Sequence, residues 1–338
     1  MRKIILVAVM SAVVILLVGL VAFTFSVPHL VVFSSDTSDR TVELRLKSSD
    51  RTVFVLGMVG CENLCLDQHS RALFVTDLTG RVYRVDGPTR ALLSVVKSRR
   101  IAERNCLGVD IGPDSMIYVG ATDGEWQETG GAIWRVDPDL SRAVKVAITP
   151  PGLNGVAFDD SGELFFVTGN MDLVTPDGAI YRVRFDSTRT VGTPEIVIPG
   201  LNGGNGLHWN KLIQRMYVTD FTGVLRTDSA MTAVEQVYRK AKTFEFSDDL
   251  CVDSDGRLWI ADPGNSFVKM YDPTADTIVR FVIDGLGQAS ACAIREEDGE
   301  EILYVTELKK PGNKLLSNLY DGRGVVSIPV IDLLSRLH

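Results

Sequence analysis

The stretch NGLHWNKLIQRMYVTD, residues 205–220, opens on an amide and a glycine, runs into a short apolar strand, turns through polar residues and closes a second strand on Asp220. Five other stretches share this grammar: ENLCLDQHSRALFVTD from Glu62, NCLGVDIGPDSMIYVGATD from Asn105, NGVAFDDSGELFFVTGN from Asn154, DDLCVDSDGRLWIAD from Asp248 and SACAIREEDGEEILYVTE from Ser290. Their first residues are separated by 43, 49, 51, 43 and 42 positions. That period is the length of one four-stranded propeller blade.

Working outward from each pair, a third strand recurs as GRVYRVD, GAIWRVDP, GAIYRVRFD, TGVLRTD, SFVKMYDP and GRGVVSIPV. Fourth strands are expected at ALLSVV, AVKVAI, PEIVIP, VEQVYR and TIVRFVI, which leaves the sixth blade one strand short. Part of residues 41–56 is expected to supply it, closing the ring and covering the free sheet edges. Helical periodicity is weak after residue 35. The fold class expected is therefore all-β: a six-bladed β-propeller of four-stranded blades, preceded by one N-terminal transmembrane helix or signal-anchor.

That anchor is read from residues 4–23, twenty positions with one Ser and no charge behind Arg2 and Lys3. As a helix they would extend about 30 Å, the thickness of a bilayer core. The expected division is an anchor or signal segment with a short linker over 1–35 and one propeller domain over 36–338. Basic residues before the span place the body outside the cytoplasm: periplasmic, extracellular or luminal, and secreted if the segment is cleaved. The membrane is thus one expected partner. A net charge of −8 without a basic block excludes a nucleic-acid backbone as another. Five cysteines cannot all pair within one chain, so small buried thiols are expected rather than a disulfide scaffold, with room for one or two bridges. Cys61 and Cys65 have no second cluster at zinc spacing.

In a propeller, equivalent positions of different blades converge on the axis at one end. The first residues of the six pairs are Glu62, Asn105, Asn154, Asn205, Asp248 and Ser290. Two carboxylates and three amides at one level make an oxygen-rich site for a hard cation, and Ca²⁺ suits it better than Zn²⁺. The competing reading is that Asn and Asp make local backbone hydrogen bonds where strands begin. The neighbours Asn63 and Asp249 would orient the ligand loops. A second polar set ends the outgoing strands and includes Asn170 and Glu307. His208 stands three positions into its repeat, where Cys65, Gly108, Ala157, Cys251 and Ala293 stand in the others; it either fills space or lines the channel as a proton-transfer group.

Glu62-Asn63, Asn154-Gly155, Asn205-Gly206 and Asp248-Asp249-Leu250-Cys251, each opening an aligned strand pair, resemble the gluconolactonase and senescence-marker-protein family, within the paraoxonase and strictosidine-synthase-like six-bladed superfamily. The resemblance covers roughly residues 40–332. It implies a metal held by Glu62, Asn205 and Asp248 with Asn154 beside it, and hydrolysis of a small-molecule lactone or related ester. Ser247-Asp248-Asp249 stands where the family has Pro-Asp-Gly, and Gly152 where it often has Arg, so the metal set is kept better than the substrate set.

The expected function is a calcium-dependent hydrolase in which water attacks a metal-polarised carbonyl and Asp248 receives the proton. Asn63, Asn105, Asn170, His208, Asp249 and Glu307 are the candidates for substrate contact or ligand support. The alternatives are a membrane-tethered, calcium-stabilised binding propeller without catalysis, and a strictosidine-synthase-like enzyme using an acid such as Glu307 without the metal. Oligomeric state is not legible.

Overall fold

The innermost strands mix apolar residues with the polar ones of the repeat, from CENLCL in the first blade to QASACAIREE in the last. In the computed structural model these strands begin six antiparallel units that follow one another around an axis. The structure describes residues 42–46, 53–56, 58, 60–86, 95–124, 129–169, 176–239, 245–283, 285–309 and 324–335. From the axis outward, blade one runs Cys61–Leu66, Leu73–Asp77, Arg81–Asp86 and Val95–Arg100. The innermost strands of blades two to six are Cys106–Ile111, Leu153–Phe158, Leu207–Asn210, Leu250–Val252 and Gln288–Glu297.

Blade six is completed from the N-terminal side, as expected: Val53–Leu56 pairs antiparallel with Gly324–Pro329, from Val53↔Ser327 to Leu56↔Gly324. The preceding strand, Val42–Leu46, was not anticipated. It adds a fifth, parallel strand to blade five along Thr277–Ile283. Blades two and three are joined at their outer strands by one parallel bridge, Ala147↔Gly192.

Six apolar clusters hold the ring, each lying between consecutive blades. Phe74 and Val82 of blade one meet Cys106 and Val119 of blade two, and Ala291, Ile302 and Tyr304 of blade six return to Cys61, Leu64 and Val75 of blade one. At about 1.5–3 kcal/mol per large side chain buried, these faces carry most of the apolar stabilisation. Hydroxyls then tie the blades near the axis. Thr76 Oγ1 donates to the Leu107 carbonyl at 2.5 Å, Thr219 Oγ1 to that of Asp248, and Ser290 Oγ to that of Cys61 at 2.7 Å. The Thr that precedes the closing acid in blades one and four is thus a link to the next blade.

All five thiols are buried and free, in keeping with small core side chains. The anchor expected over residues 4–23 lies outside the described residues, as does the domain boundary at 35. Among the described residues no helix is long and apolar enough to cross a membrane; the helix Val330–Leu334 has five residues, whereas a span takes about 20. The membrane-anchored reading is corrected accordingly. What stands is an all-β propeller-like fold, and the membrane partner, the single-pass topology and the extracytoplasmic placement read from it are withdrawn.

Candidate functional site

Hairpin pairing fixes which residues share a level along the axis. Leu64↔Val75, Val109↔Val119, Val156↔Phe166, Leu207↔Val218, Leu250↔Ile260 and Cys292↔Val305 are equivalent pairs. Two positions upstream of each inner partner stand Glu62, Leu107, Asn154, Asn205, Asp248 and Ser290. Five blades therefore place the expected residue in the ring, and blade two does not. Asn105 lies two positions further out, at the level of Gly60 and Gly152. Its carbonyl accepts the Thr122 N–H at 2.9 Å, as those of Gly60 and Gly152 accept Leu78 and Gly169. Its amide donates to Thr122 Oγ1 at 3.1 Å, which is the local hydrogen-bonding role. With Leu107 apolar and the Ser290 hydroxyl committed to Cys61, the ring presents Glu62, Asn154, Asn205 and Asp248.

Glycine brings three of these together. The Gly155 N–H donates to the Asn205 carbonyl at 2.8 Å and the Gly206 N–H to that of Asp248 at 2.9 Å. A Cβ on Gly155 would stand 2.6 Å from the Asn205 carbonyl oxygen, and one on Gly206 2.3 Å from Asp249 Oδ1. The Asn-Gly pairs are thus close-approach devices that draw neighbouring inner strands to the axis.

Two carboxylates then share a confined space. Asn205 Nδ2 donates to Asp248 Oδ1, yet the Asp248 carboxyl is pushed well above the usual range by burial, then by the negative charges of Glu62 and Asp249. Glu62 is raised to about 7 by burial and by Asp249. No basic side chain is among the causes acting on either group. Among the described residues no group of three or more His, Cys, Asp or Glu side chains is placed to hold a metal ion. The ring differs in kind, with two carboxylates and two amides. That donor set, carrying two negative charges without a protein cation, fits a hard divalent ion.

The raised carboxyls have a consequence for stability. A folded state that holds Glu62 at about 7 against an ordinary 4.5 binds protons more tightly than the unfolded chain. Its contribution is present below about pH 4.5 and is lost as pH rises through about 7. In urea denaturation with chelator, wild-type protein should lose more stability between pH 5 and pH 7.5 than Glu62→Gln. An equal loss in both would show that Glu62 is not held in this way.

A cavity lies at the other end of the inner strands, where they exit. It has a volume of about 540 Å³ and reaches up to Asn63 and Asp249 from below. Asn63 Oδ1 accepts the Leu64 N–H at 2.7 Å. Asp249 Oδ1 accepts that of Leu250 at 2.8 Å, and its carboxyl is raised to about 7, by burial first and with Asp110 adding to it. The shifted register of blade two puts Asp110, not Gly108, level with His208. Sequence reasoning missed Asp110, although the shared Gly-apolar pair in Gly108-Val109, Gly155-Val156 and Gly206-Leu207 marks the true alignment. His208 lines the cavity. Burial, with Lys211 adding, depresses it to about 4, so the imidazole is neutral at neutral pH.

Two candidates are placed elsewhere. Glu307 is buried and accepts the Gly287 N–H at 2.8 Å inside blade six, and Asn170 lies outside the described residues.

Residues 147–309 match the family model described as SMP-30/Gluconolactonase/LRE-like region. The chain carries an SMP-30/gluconolactonase/LRE-like region. The family resemblance drawn from the Asn-Gly and Asp-Asp motifs is thereby upheld, and the matched stretch includes Asn154, Asn205 and Asp248 but not Glu62. Among curated proteins, lactonase drp35 of Staphylococcus saprophyticus is 25% identical over 238 residues, covering 67% of this chain and 71% of the relative. Among solved structures, regucalcin of Agrobacterium tumefaciens, a calcium-binding protein, superposes with a TM-score of 0.64 at 16% identity, over 84% of this chain and 94% of its own. A gluconolactonase of Xanthomonas campestris gives 0.56 at 17%, over 80% and 86%. These two structural likenesses establish the propeller fold.

Proposed function

We propose that the protein hydrolyses lactones or related esters with a divalent cation, calcium, held at the ring of inner-strand starts. One observation carries this reading: the half-buried Glu62 and the buried Asp248 stand at one level with two amides from other blades, and no basic side chain is among the causes that shift either carboxyl. The similar proteins, a lactonase, a gluconolactonase and a calcium-binding protein, support the same reading.

Glu62, Asn154, Asn205 and Asp248 are the residues that would hold the ion. Bound there, it would polarise a carbonyl oxygen and make an adjacent water more acidic. Asp248 is oriented by the Asn205 amide and serves as the proton acceptor. Its carboxylate takes a proton from water as the water oxygen bonds to the carbonyl carbon, and returns it to the ring oxygen as the acyl carbon–oxygen bond breaks. The products are the hydroxyl and the carboxylic acid of the opened ring. Asn154, buried beside them, can donate a hydrogen bond to the developing oxyanion.

The test is a panel of lactones, aryl esters and phosphotriesters assayed with purified protein, with chelator and after calcium is restored. Turnover of lactones that disappears with chelator and returns with calcium is expected. Turnover indifferent to chelator, or none on any substrate, would remove the proposal.

A further inference from the structure

In five blades the residue on the third strand opposite the inner hairpin's level is aromatic or aliphatic: Tyr83, Trp134, Tyr181, Leu225 and Val326. Blade five, which supplies Asp248, has Lys269 there, paired with Ile260 and fully buried. An ammonium removed from water is costly unless its donors are all engaged. These donors converge on one short piece of chain.

Lys269 Nζ donates to the Phe246 carbonyl at 2.6 Å and to Ser247 Oγ at 3.3 Å, and forms an ion pair with Asp262 at 3.3 Å. The same Asp262 oxygen accepts the Phe246 N–H at 3.2 Å. Both sides of the Phe246 residue are thus gripped by one buried ion pair. Just upstream, Glu245 accepts from Arg280 at 2.5 Å. Residues 245–249 form no strand until Leu250, so these side chains do for the segment what a ladder does elsewhere. Downstream, the Asp248 N–H reaches the Ala261 carbonyl at 3.0 Å and the Asp249 N–H that of Ser290 at 3.1 Å. Blade one has a counterpart without a cation, in which the Tyr83 hydroxyl donates to Asp77 Oδ2 at 2.8 Å.

We infer that Lys269, with Asp262, is a positioning residue that clamps residues 245–249 and thereby sets where the Asp248 carboxylate stands in the ring. The inference rests on the calcium reading of that ring for its functional meaning, and on geometry alone for the clamp.

The experiment uses the full chain with Lys269→Met and, in case that single change unfolds the protein by leaving a buried carboxylate unpaired, with Lys269→Met combined with Asp262→Leu, which removes both charges. Hydrogen exchange in metal-free protein is read for the peptide over 245–249 against the inner strand of blade three, and calcium affinity is read by titration. Exchange over 245–249 should rise about tenfold or more with blade three unchanged, and calcium affinity should fall about 10- to 100-fold. Exchange within twofold of wild type in a folded variant would overturn the clamp. Faster exchange with unaltered calcium affinity would overturn its role in placing Asp248. If wild-type protein takes up no calcium, the functional reading falls while the exchange result still decides the clamp.

Discussion

Asp248→Asn is expected to lower kcat for lactone hydrolysis by about 10²- to 10⁴-fold, the range for losing a positioned proton acceptor. The replacement keeps the shape of the side chain but cannot accept the water proton, and it halves the negative charge of the ring. The same substitution should leave metal-free stability at pH 7.5 equal to wild type or higher. The reason lies in the cause of the shift: burial and the charges of Glu62 and Asp249 already oppose ionisation of Asp248, so removing the charge relieves the fold. Activity and stability then move in opposite directions, which a merely structural aspartate would not produce. Steady-state kinetics and urea denaturation with chelator check the pair. Equal turnover, or a destabilised variant, would remove Asp248 from its role.

Gly206→Ala is expected to cost about 1–3 kcal/mol of stability and to weaken calcium binding about 10- to 100-fold. The added methyl would stand 2.3 Å from Asp249 Oδ1, 2.6 Å from Asp249 Cα and 2.7 Å from the Asp248 carbonyl oxygen. Two of these three are main-chain atoms, so a side-chain rotation cannot relieve them. The Gly206 N–H also holds the Asp248 carbonyl, and the inner strands of blades four and five must part to admit the methyl. Asp248 moves with them. Blade six carries Ala291 at this level, whereas Gly108, Gly155 and Gly206 each meet the main chain of the next blade, so glycine is required at those junctions, the last of them beside Asp248. Denaturation and calcium titration of the variant measure both effects; a variant matching wild type in each would mean that this approach does not build the ring.

Much of this architecture is legible without coordinates because a propeller repeats one rule six times. The strand pairs from Glu62 to Ser290, the third strands and the closure of blade six by residues 53–56 all follow from alternation, turn residues and the need to cover an edge. The ring in blade two was misread because Asn105 is polar and opens its segment as Asn154 and Asn205 do. Hairpin register, which a polar-residue alignment ignores, assigns that level to Leu107 and makes the first two spacings 45 and 47 residues. The parallel strand Val42–Leu46 was hidden because an outer-edge addition leaves no mark on the repeat it joins. Lys269 was passed over for a related reason. A lysine in a strand reads as solvent-facing until burial and the partners Asp262 and Phe246 are known.

Calorimetric titration of calcium into metal-free protein at neutral pH, beside the same titration of Asp248→Asn, tests the ring most directly. The expected result is one saturable site per chain, weakened or lost in the variant, with lactone turnover rising in step with occupancy. A wild-type protein that takes up no calcium, or one whose uptake is indifferent to Asp248→Asn, would contradict it.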